Sequence, residues 1–259
     1  MAGHETIKPG LASVSLRQLN PAQLVNWCGT AALAGIEWDG ETHVPHGDYA
    51  TARRVGALTR EHGIAIVAYS SYYRIGASER HGPDFARVLE TAAHLQAPLI
   101  RVRAGIKSSA DADEAYVNWI VEQSAHIAGL AAAAGIKVAY ECQAGTLTDS
   151  VGSIVSLLDQ ARHPNLYFLW QPTAGKTVAY NLQLLRAVLP RLTNVRVFHR
   201  GPDVAARQAL AAEAADWREY FNLLRQDGQP RYALLKLVKH NAPEQLQADA
   251  LTLRQLLSA

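Results

Sequence analysis

The sequence predicts a single-domain α/β protein folded as a closed (β/α)8 barrel, a TIM barrel, and three observations predict it. Short apolar runs alternate with longer helical stretches along all 259 residues. The alternation repeats eight times at a mean step of about 32 residues, the spacing of strand–helix units in such a barrel. Several runs, such as Ile64-Ala-Ile-Val-Ala and Leu166-Tyr-Phe-Leu-Trp, are apolar almost throughout, which suits parallel strands covered on both faces. An open doubly wound sheet would show a glycine-rich phosphate turn after an early strand, and none is present. No linker-like stretch or charge block divides residues 1–259.

In chain order the predicted strands are Leu11–Ser15, Ala34–Trp38, Ile64–Tyr69, Pro98–Arg103, Ile136–Cys142, Leu166–Gln171, Asn194–His199 and Tyr232–Val238. Asn20-Pro21 starts the first helix, a capping side chain followed by proline at the first helical position. Asp111-Ala-Asp-Glu114 and Thr148-Asp-Ser150 offer caps before the fourth and fifth helices. Gly35, Gly63 and Gly135 each follow a helical run and precede a strand, where a left-handed helix stop is expected. The segment Arg200–Asp216 is longer than a minimal connection. It reads either as a lid over the strand ends or as an Ala-rich extension of the next helix.

Composition narrows the class. Hydrophobic residues make up 49% and charged residues 19%, as in an ordinary globular protein. A net charge of +2 gives no field for holding nucleic acid or an anionic membrane. Two cysteines, Cys28 and Cys142, fit a reducing compartment. The longest apolar run, Ile127–Ile136, is half of what a bilayer requires, so a cytoplasmic location is expected.

Several apparent motifs fail. Gly175-Lys-Thr177 resembles the end of a P-loop, but its first glycine is replaced by Trp170. His43-Val-Pro-His46 holds two imidazoles, yet Pro45 opposes a helix presenting both to one metal; one of them, His43, remains a candidate for facing a substrate. Cys142 follows Glu141, but strand alternation turns the two to opposite faces.

The active site of a (β/α)8 barrel lies at the C-terminal ends of its strands. The polar residues expected there are Glu37, Tyr69, Tyr72, Tyr73, Arg101, Arg103, Glu141, Gln143, Gln171, His199, Arg200 and Lys236. Glu141 in Val-Ala-Tyr-Glu-Cys and Lys236 in Leu-Leu-Lys-Leu-Val are charges embedded in apolar runs. Such charges need partners or a ligand, since an unpaired buried charge costs several kcal/mol.

Six stretches carry a resemblance. They are Gly35-Ile-Glu-Trp with His43-Val-Pro-His-Gly-Asp48, Ser70 to Gly76, Ile100-Arg-Val-Arg-Ala-Gly105, Thr146-Leu-Thr-Asp149, Trp170-Gln-Pro172 and Pro243 to Asp249. Their order and spacing resemble the sugar phosphate isomerase/epimerase family of the xylose-isomerase-like barrel superfamily. The resemblance implies carbohydrate metabolism and a divalent cation held by Glu, Asp, His and Glu at the last four strand ends. Two glutamates of that set relay protons beside a substrate carbonyl. Glu141 and His199 match the pattern. Gln171 stands in place of Asp and Lys236 in place of the second Glu, while Gln143 and Arg103 replace a His and a Trp.

These departures change the chemistry expected. The family set presents three negative charges to a cation, and this set presents none in sum. An ammonium at a ligand position repels a divalent ion by several kcal/mol even at an effective dielectric near 20. No cofactor is therefore expected, Mn2+ and Mg2+ being disfavoured, and Lys236 is expected to pair with Glu141 in the vacated volume. One reading is a metal-independent isomerase or epimerase acting on a small sugar, sugar phosphate or hydroxy-keto acid. Glu141, Lys236 and His199 are its candidate catalytic residues. Gln171, Gln143, Arg101, Arg103, Arg200, Tyr72, Glu37 and His43 are its candidate substrate-binding residues, the arginines suited to an anionic group. The alternative is a catalytically inactive or regulatory ligand-binding barrel. Nucleic acid and membrane are not expected partners, and a homo-oligomer is compatible with the fold.

Overall fold

The computed structural model describes residues 6–78, 82–200 and 207–259. Eight parallel strands close into one barrel: β1 (Ile7–Ala12), β2 (Gly35–Asp39), β3 (Ala65–Arg74), β4 (Leu99–Arg103), β5 (Lys137–Glu141), β6 (Leu166–Trp170), β7 (Leu192–Val197) and β10 (Arg231–Leu235). The remaining two, β8 (His199–Arg200) and β9 (Arg207–Gln208), form a short antiparallel ribbon beyond β7. Around the barrel lie α1 (Pro21–Thr30), α2 (Tyr49–Glu61), α3 (Phe85–Leu95), α4 (Glu114–Ala133), α5 (Val151–Ala161), α6 (Val178–Val188), α7 (Ala214–Asp227) and α8 (Pro243–Ser258). Each strand is thus followed by its helix, as the eightfold alternation predicts.

Local chemistry sets the helix starts. Asn20 caps α1 through a reciprocal box with Gln23, with Pro21 at the first helical position. Asp113 and Ser150 cap α4 and α5. The Thr of the false P-loop, Thr177, caps α6 by accepting from the Tyr180 amide.

Strand alternation and register sort the side chains. Large aliphatic and aromatic residues such as Ile36, Trp38, Ile100, Val138, Phe168 and Val195 pack outward against the helices. Facing inward is a separate small cluster of Ala68, Leu99, Ala139 and Leu169. Parallel partners share a face, and the register aligns Ser70 with Arg101, Arg101 with Ala139, and Arg196 with Leu234. The inner face therefore changes from aliphatic to charged within one strand repeat, toward the C-terminal end.

Three expectations are corrected. The first strand is Ile7–Ala12 rather than 11–15, and Ser13–Leu16 is a 3-10 turn. Pro9 and Gly10 look like strand breakers, but a Cβ on Gly10 would lie 2.7 Å from Leu234 and 2.8 Å from the Gly35 carbonyl oxygen, so the site needs a glycine. Gly63 and Gly135 do end helices at φ +70°, whereas Gly35 does not. Ala32, at φ +53°, makes that turn. Gly35 serves packing instead, because a Cβ there would meet Val67 at 2.5 Å and Tyr232 at 2.7 Å. The 200–216 segment also differs from a plain helical extension. Its described part forms β9, a 3-10 turn over Leu210–Glu213 and the start of α7, and residues 201–206 lie outside the described residues.

Gly35→Ala is expected to destabilise the fold by about 1–3 kcal/mol through overpacking inside the barrel. Urea denaturation checks this, and Gly152→Ala, where nothing lies within 4 Å of the added Cβ, is the control.

Candidate active site

The charged layer at the C-terminal end of the barrel is built from five strands. Arg196 on β7 donates from Nη2 to Glu37 Oε1 on β2, and from Nη1 to Glu141 Oε1 on β5 at 2.6 Å. Arg101 on β4 donates to Ser70 Oγ on β3 and makes a 3.0 Å ion pair with Glu141 Oε2. Each of these charged side chains is 1 or 2% exposed. A pair this deeply buried is viable only when charge and hydrogen bonding are both met, and here the network crosses the mouth from β2 to β5.

Lys236, one residue past β10, points into the same layer. Its Nζ donates to Glu141 Oε1 at 3.2 Å and to Gln171 Oε1 at 2.9 Å, and the side chain is 14% exposed. Gln171 is itself oriented, since its Nε2 donates to the Cys142 carbonyl at 2.9 Å. Burial, opposed by Glu141 and aided by Arg196 and Arg101, brings the Lys236 amine down to about 8. Burial alone would raise the Glu141 carboxyl, but Arg101, then Arg196 and Lys236, hold it well below the usual carboxylate range. Glu141 is thus a fixed anion, and Lys236 is a group that titrates near neutrality.

Tyr72 forms the wall beside this layer. It sits at φ +58°, its hydroxyl donates to Asp39 Oδ2 at 2.5 Å, and it accepts from Arg17 at 3.0 Å. The guanidiniums of Arg101 and Arg103 lie 4.4 and 5.2 Å from its ring centroid. Burial and the hydrogen bond to Asp39 push the phenol up to about 12. Beyond the ring, a cavity of about 130 Å3 opens among the ends of β3, β4 and β5, lined by Arg74, Arg103, Gln143 and Gly145. A larger cavity, of about 790 Å3, lies at the opposite, N-terminal end of the barrel beside Lys8, Lys137 and Tyr167. The charged layer is remote from it.

Glu141, Lys236, Gln171, Glu37, Arg101, Arg103 and Tyr72 therefore meet at one mouth, and Gln143 lines the small cavity beside it. Glu37 and Arg101 are spent on the buried ion pairs. His43 is elsewhere: it is 3% exposed, with Nδ1 on Ser13 Oγ at 3.0 Å and Nε2 on the Leu19 carbonyl at 3.1 Å. The Pro45 turn folds it inward, where it ties the first strand to the loop after β2. His199 lies in the β8–β9 ribbon with its Nδ1 3.1 Å from Glu213 Oε2, and no contact among the described residues joins it to Glu141 or Lys236. Tyr73 is buried against Phe85 rather than over the mouth, and the Tyr69 hydroxyl is held by the Val44 carbonyl and His46. The Arg200 side chain lies outside the described residues. Cys142 is buried and burial pushes its thiol up, which leaves it unreactive.

The structure adds residues not singled out from sequence: Arg196, Ser70, Asp39, Arg17 and Arg74. Arg196 carried a usable signal, a charge between Val195 and Val197 in a predicted strand, as clear as that of Glu141.

The donor set bears on metal binding. Gln171 contributes no charge, the Lys236 ammonium lies between Glu141 and Gln171, and His199 is engaged by Glu213. Among the described residues, no group of three or more His, Cys, Asp or Glu is arranged to hold an ion. The residues at this mouth do not fit the divalent cation of the family pattern.

Arg196→Met leaves two buried carboxylates short of a partner and is expected to cost about 3–5 kcal/mol. Adding Glu37→Gln should return part of that loss, and urea denaturation reads both. Because the folded Glu141 carboxyl is depressed, its contribution is full above the unfolded value near pH 4.5 and is lost as pH falls through the lower folded value.

A comparison with curated protein sequences finds no match. Among solved structures, the chain is similar to the probable 3-DHS dehydratase AsbF from Bacillus anthracis, at 21% identity and TM-score 0.80 over 96% of this chain and 99% of that one. It is similar to the E. coli 3-keto-D-glucoside 4-epimerase YcjR at 16% identity and TM-score 0.73, covering 98% of this chain and 100% of that one. It is also similar to a xylose isomerase-like TIM barrel protein from Mycobacterium smegmatis in complex with magnesium, at 13% identity and TM-score 0.74, covering 100% and 99%. At these identities the likeness shows the barrel fold. Residues 25–256 match the sequence model described as xylose isomerase-like TIM barrel, and the chain belongs to that family.

Proposed function

We propose that the protein is a metal-independent isomerase or epimerase that moves a proton next to the carbonyl of a small sugar, sugar phosphate or hydroxy-keto acid. Lys236 is the group that carries the proton. The observation that supports this most is the placement of its amine at the mouth, fixed by Glu141 and Gln171 and brought down to about 8. A base poised near the working pH combines adequate strength with adequate population of the neutral form. Glu141, clamped by two arginines, is too acidic to compete for a proton and serves as the counter-ion that orients Lys236.

In this reading the neutral amine removes the proton beside the carbonyl. The ammonium so formed then stands next to the developing enediolate and stabilises it; the proton returns to the neighbouring carbon while the hydroxyl proton passes from one enediolate oxygen to the other, completing a one-base isomerisation. No metal is needed to neutralise the enediolate, because the mouth already carries more cationic than anionic side chains. The printed name of YcjR describes inversion beside a keto group, and that of AsbF a dehydration, so this barrel is compatible with small-molecule chemistry in other chains. Among the described residues no helix is long and apolar enough to cross a membrane.

A second reading, a ligand-binding barrel without turnover, is favoured by one observation. Glu37 and Glu141 are both held by Arg196, so the carboxylates inherited by the mouth are occupied in holding the structure.

Incubation with candidate ketoses and hydroxypyruvate in heavy water separates the two. Deuterium is expected at the α-carbon, and Lys236→Met is expected to abolish it. The rate should rise with pH through about 8 as the amine loses its proton. In Glu141→Gln the removal of the anion lowers the amine further, so the midpoint should move to lower pH while exchange persists. Exchange that survives Lys236→Met, or ligand binding with no exchange, overturns the proton-transfer reading.

A further inference from the structure

The guanidinium of Arg103 is a strongly basic group at the mouth that the central network leaves unused. Its Nε, like those of Arg101 and Arg196, is buried without a hydrogen-bond partner, and unlike them it forms no ion pair among the described residues. Instead it lies against the Tyr72 ring at 5.2 Å, on a ring that also carries Arg101 at 4.4 Å. Two like charges sharing one aromatic partner repel each other. Burial and Arg101 both work against the charged form of Arg103. Arg101 finds relief in a 3.0 Å ion pair with Glu141, whereas Arg103 feels that carboxylate only from a distance and has no ion pair of its own among the described residues.

What Arg103 does have is space. It lines the 130 Å3 cavity together with Arg74, Gln143, Gly145 and Thr146. That volume is room for about four water molecules, enough for a carboxylate or phosphoryl group. The loop that floors it is well fixed: Thr146 Oγ1 donates to the Gln143 carbonyl at 2.8 Å, and Thr148 Oγ1 to the Glu141 carbonyl at 2.7 Å. Gly145 stands at φ +73° with nothing within 4 Å of where a Cβ would be. Among the described residues, no carboxylate lines the cavity.

We propose that this cavity seats the oxyanion of the ligand, with Arg103 as its main partner, Arg74 at the rim and Gln143 as a neutral donor. The inference deepens the functional reading by naming a ligand with a carbonyl and a terminal carboxylate or phosphoryl group. It rests on the premise that the mouth takes a small molecule, but not on any proton transfer there. A planar guanidinium presents paired donors that match such an anion. Tyr72 holds that plane at the side of the mouth, and Gln143 is two residues from Glu141, so a short ligand reaches from the cavity to Lys236.

Calorimetric titration with dihydroxyacetone phosphate, hydroxypyruvate and neutral dihydroxyacetone tests the assignment and separates phosphoryl from carboxylate. At least one anion is expected to bind the wild-type protein about tenfold or more tightly than the neutral probe, a difference of about 1.4 kcal/mol. Arg103→Gln should erase that preference, and so should Gln143→Glu, which puts a carboxylate at the cavity without touching the buried network. Lys236→Met should leave the preference intact. Equal binding of neutral and anionic probes, no saturable binding of either anion, or a preference that survives both Arg103→Gln and Gln143→Glu overturns the assignment. Failure of deuterium exchange with the preference intact removes the proton-transfer reading alone.

Discussion

Arg196 is the constraint on which the rest of the mouth depends. One guanidinium, wholly buried on β7, bridges a carboxylate on β2 and another on β5, strands three and two places away around the closed barrel. Taking three charges out of water is costly, and the bridge is stable only because both anions are engaged at once. Once Glu141 is pinned in this way, its remaining oxygen and its field determine where Arg101 and Lys236 lie. Lys236 in turn finds its second contact in Gln171. The geometry of the mouth is therefore a chain of dependence that begins inside the barrel and ends at the solvent boundary.

Seen from the ligand's side, the same chain separates structural charge from available charge. Glu37, Glu141, Arg101 and Arg196 are committed to ion pairs with one another and are almost inaccessible. The groups with capacity to spare sit one step further out: the amine of Lys236 and the guanidinium of Arg103. That division supports a ligand with an electron-poor carbon near one and a negative group near the other. The Lys236 ammonium fills the space between the Glu141 and Gln171 oxygens that surround it.

The fold was legible because it rests on periodicity. Eight apolar runs at regular spacing, covered on both faces, leave few architectures, and caps such as Asn20 and Ser150 act within four residues of themselves. The first strand was misread because Pro9 and Gly10 follow a tertiary demand, the close approach of β1 to β2 and β10, that no local rule contains. The mouth was legible for Glu141, Lys236 and Gln171, where a polar residue interrupts an apolar strand end. His43 misled because a histidine in a loop after a strand looks identical whether it faces outward or accepts a bond from Ser13. Arg196 was passed over although its flanks, Val195 and Val197, give the same signal as those of Glu141. What no pattern could supply was the pairing itself, since Glu37 and Arg196 are 159 residues apart.

The layer beneath the charges has a consequence of its own. Gly10, Ala68 and Ala139 keep their share of the barrel interior free of long side chains, while Leu99, Leu169 and Leu234 fill the rest. Long side chains from β4 and β7 can therefore sink toward the axis instead of standing upright, and the floor of the mouth lies low. Depth is thus governed by residues that no ligand would ever reach. A lineage could make this cup shallower or deeper by trading alanine for valine one storey down, retuning which molecules fit while every polar group above keeps its identity.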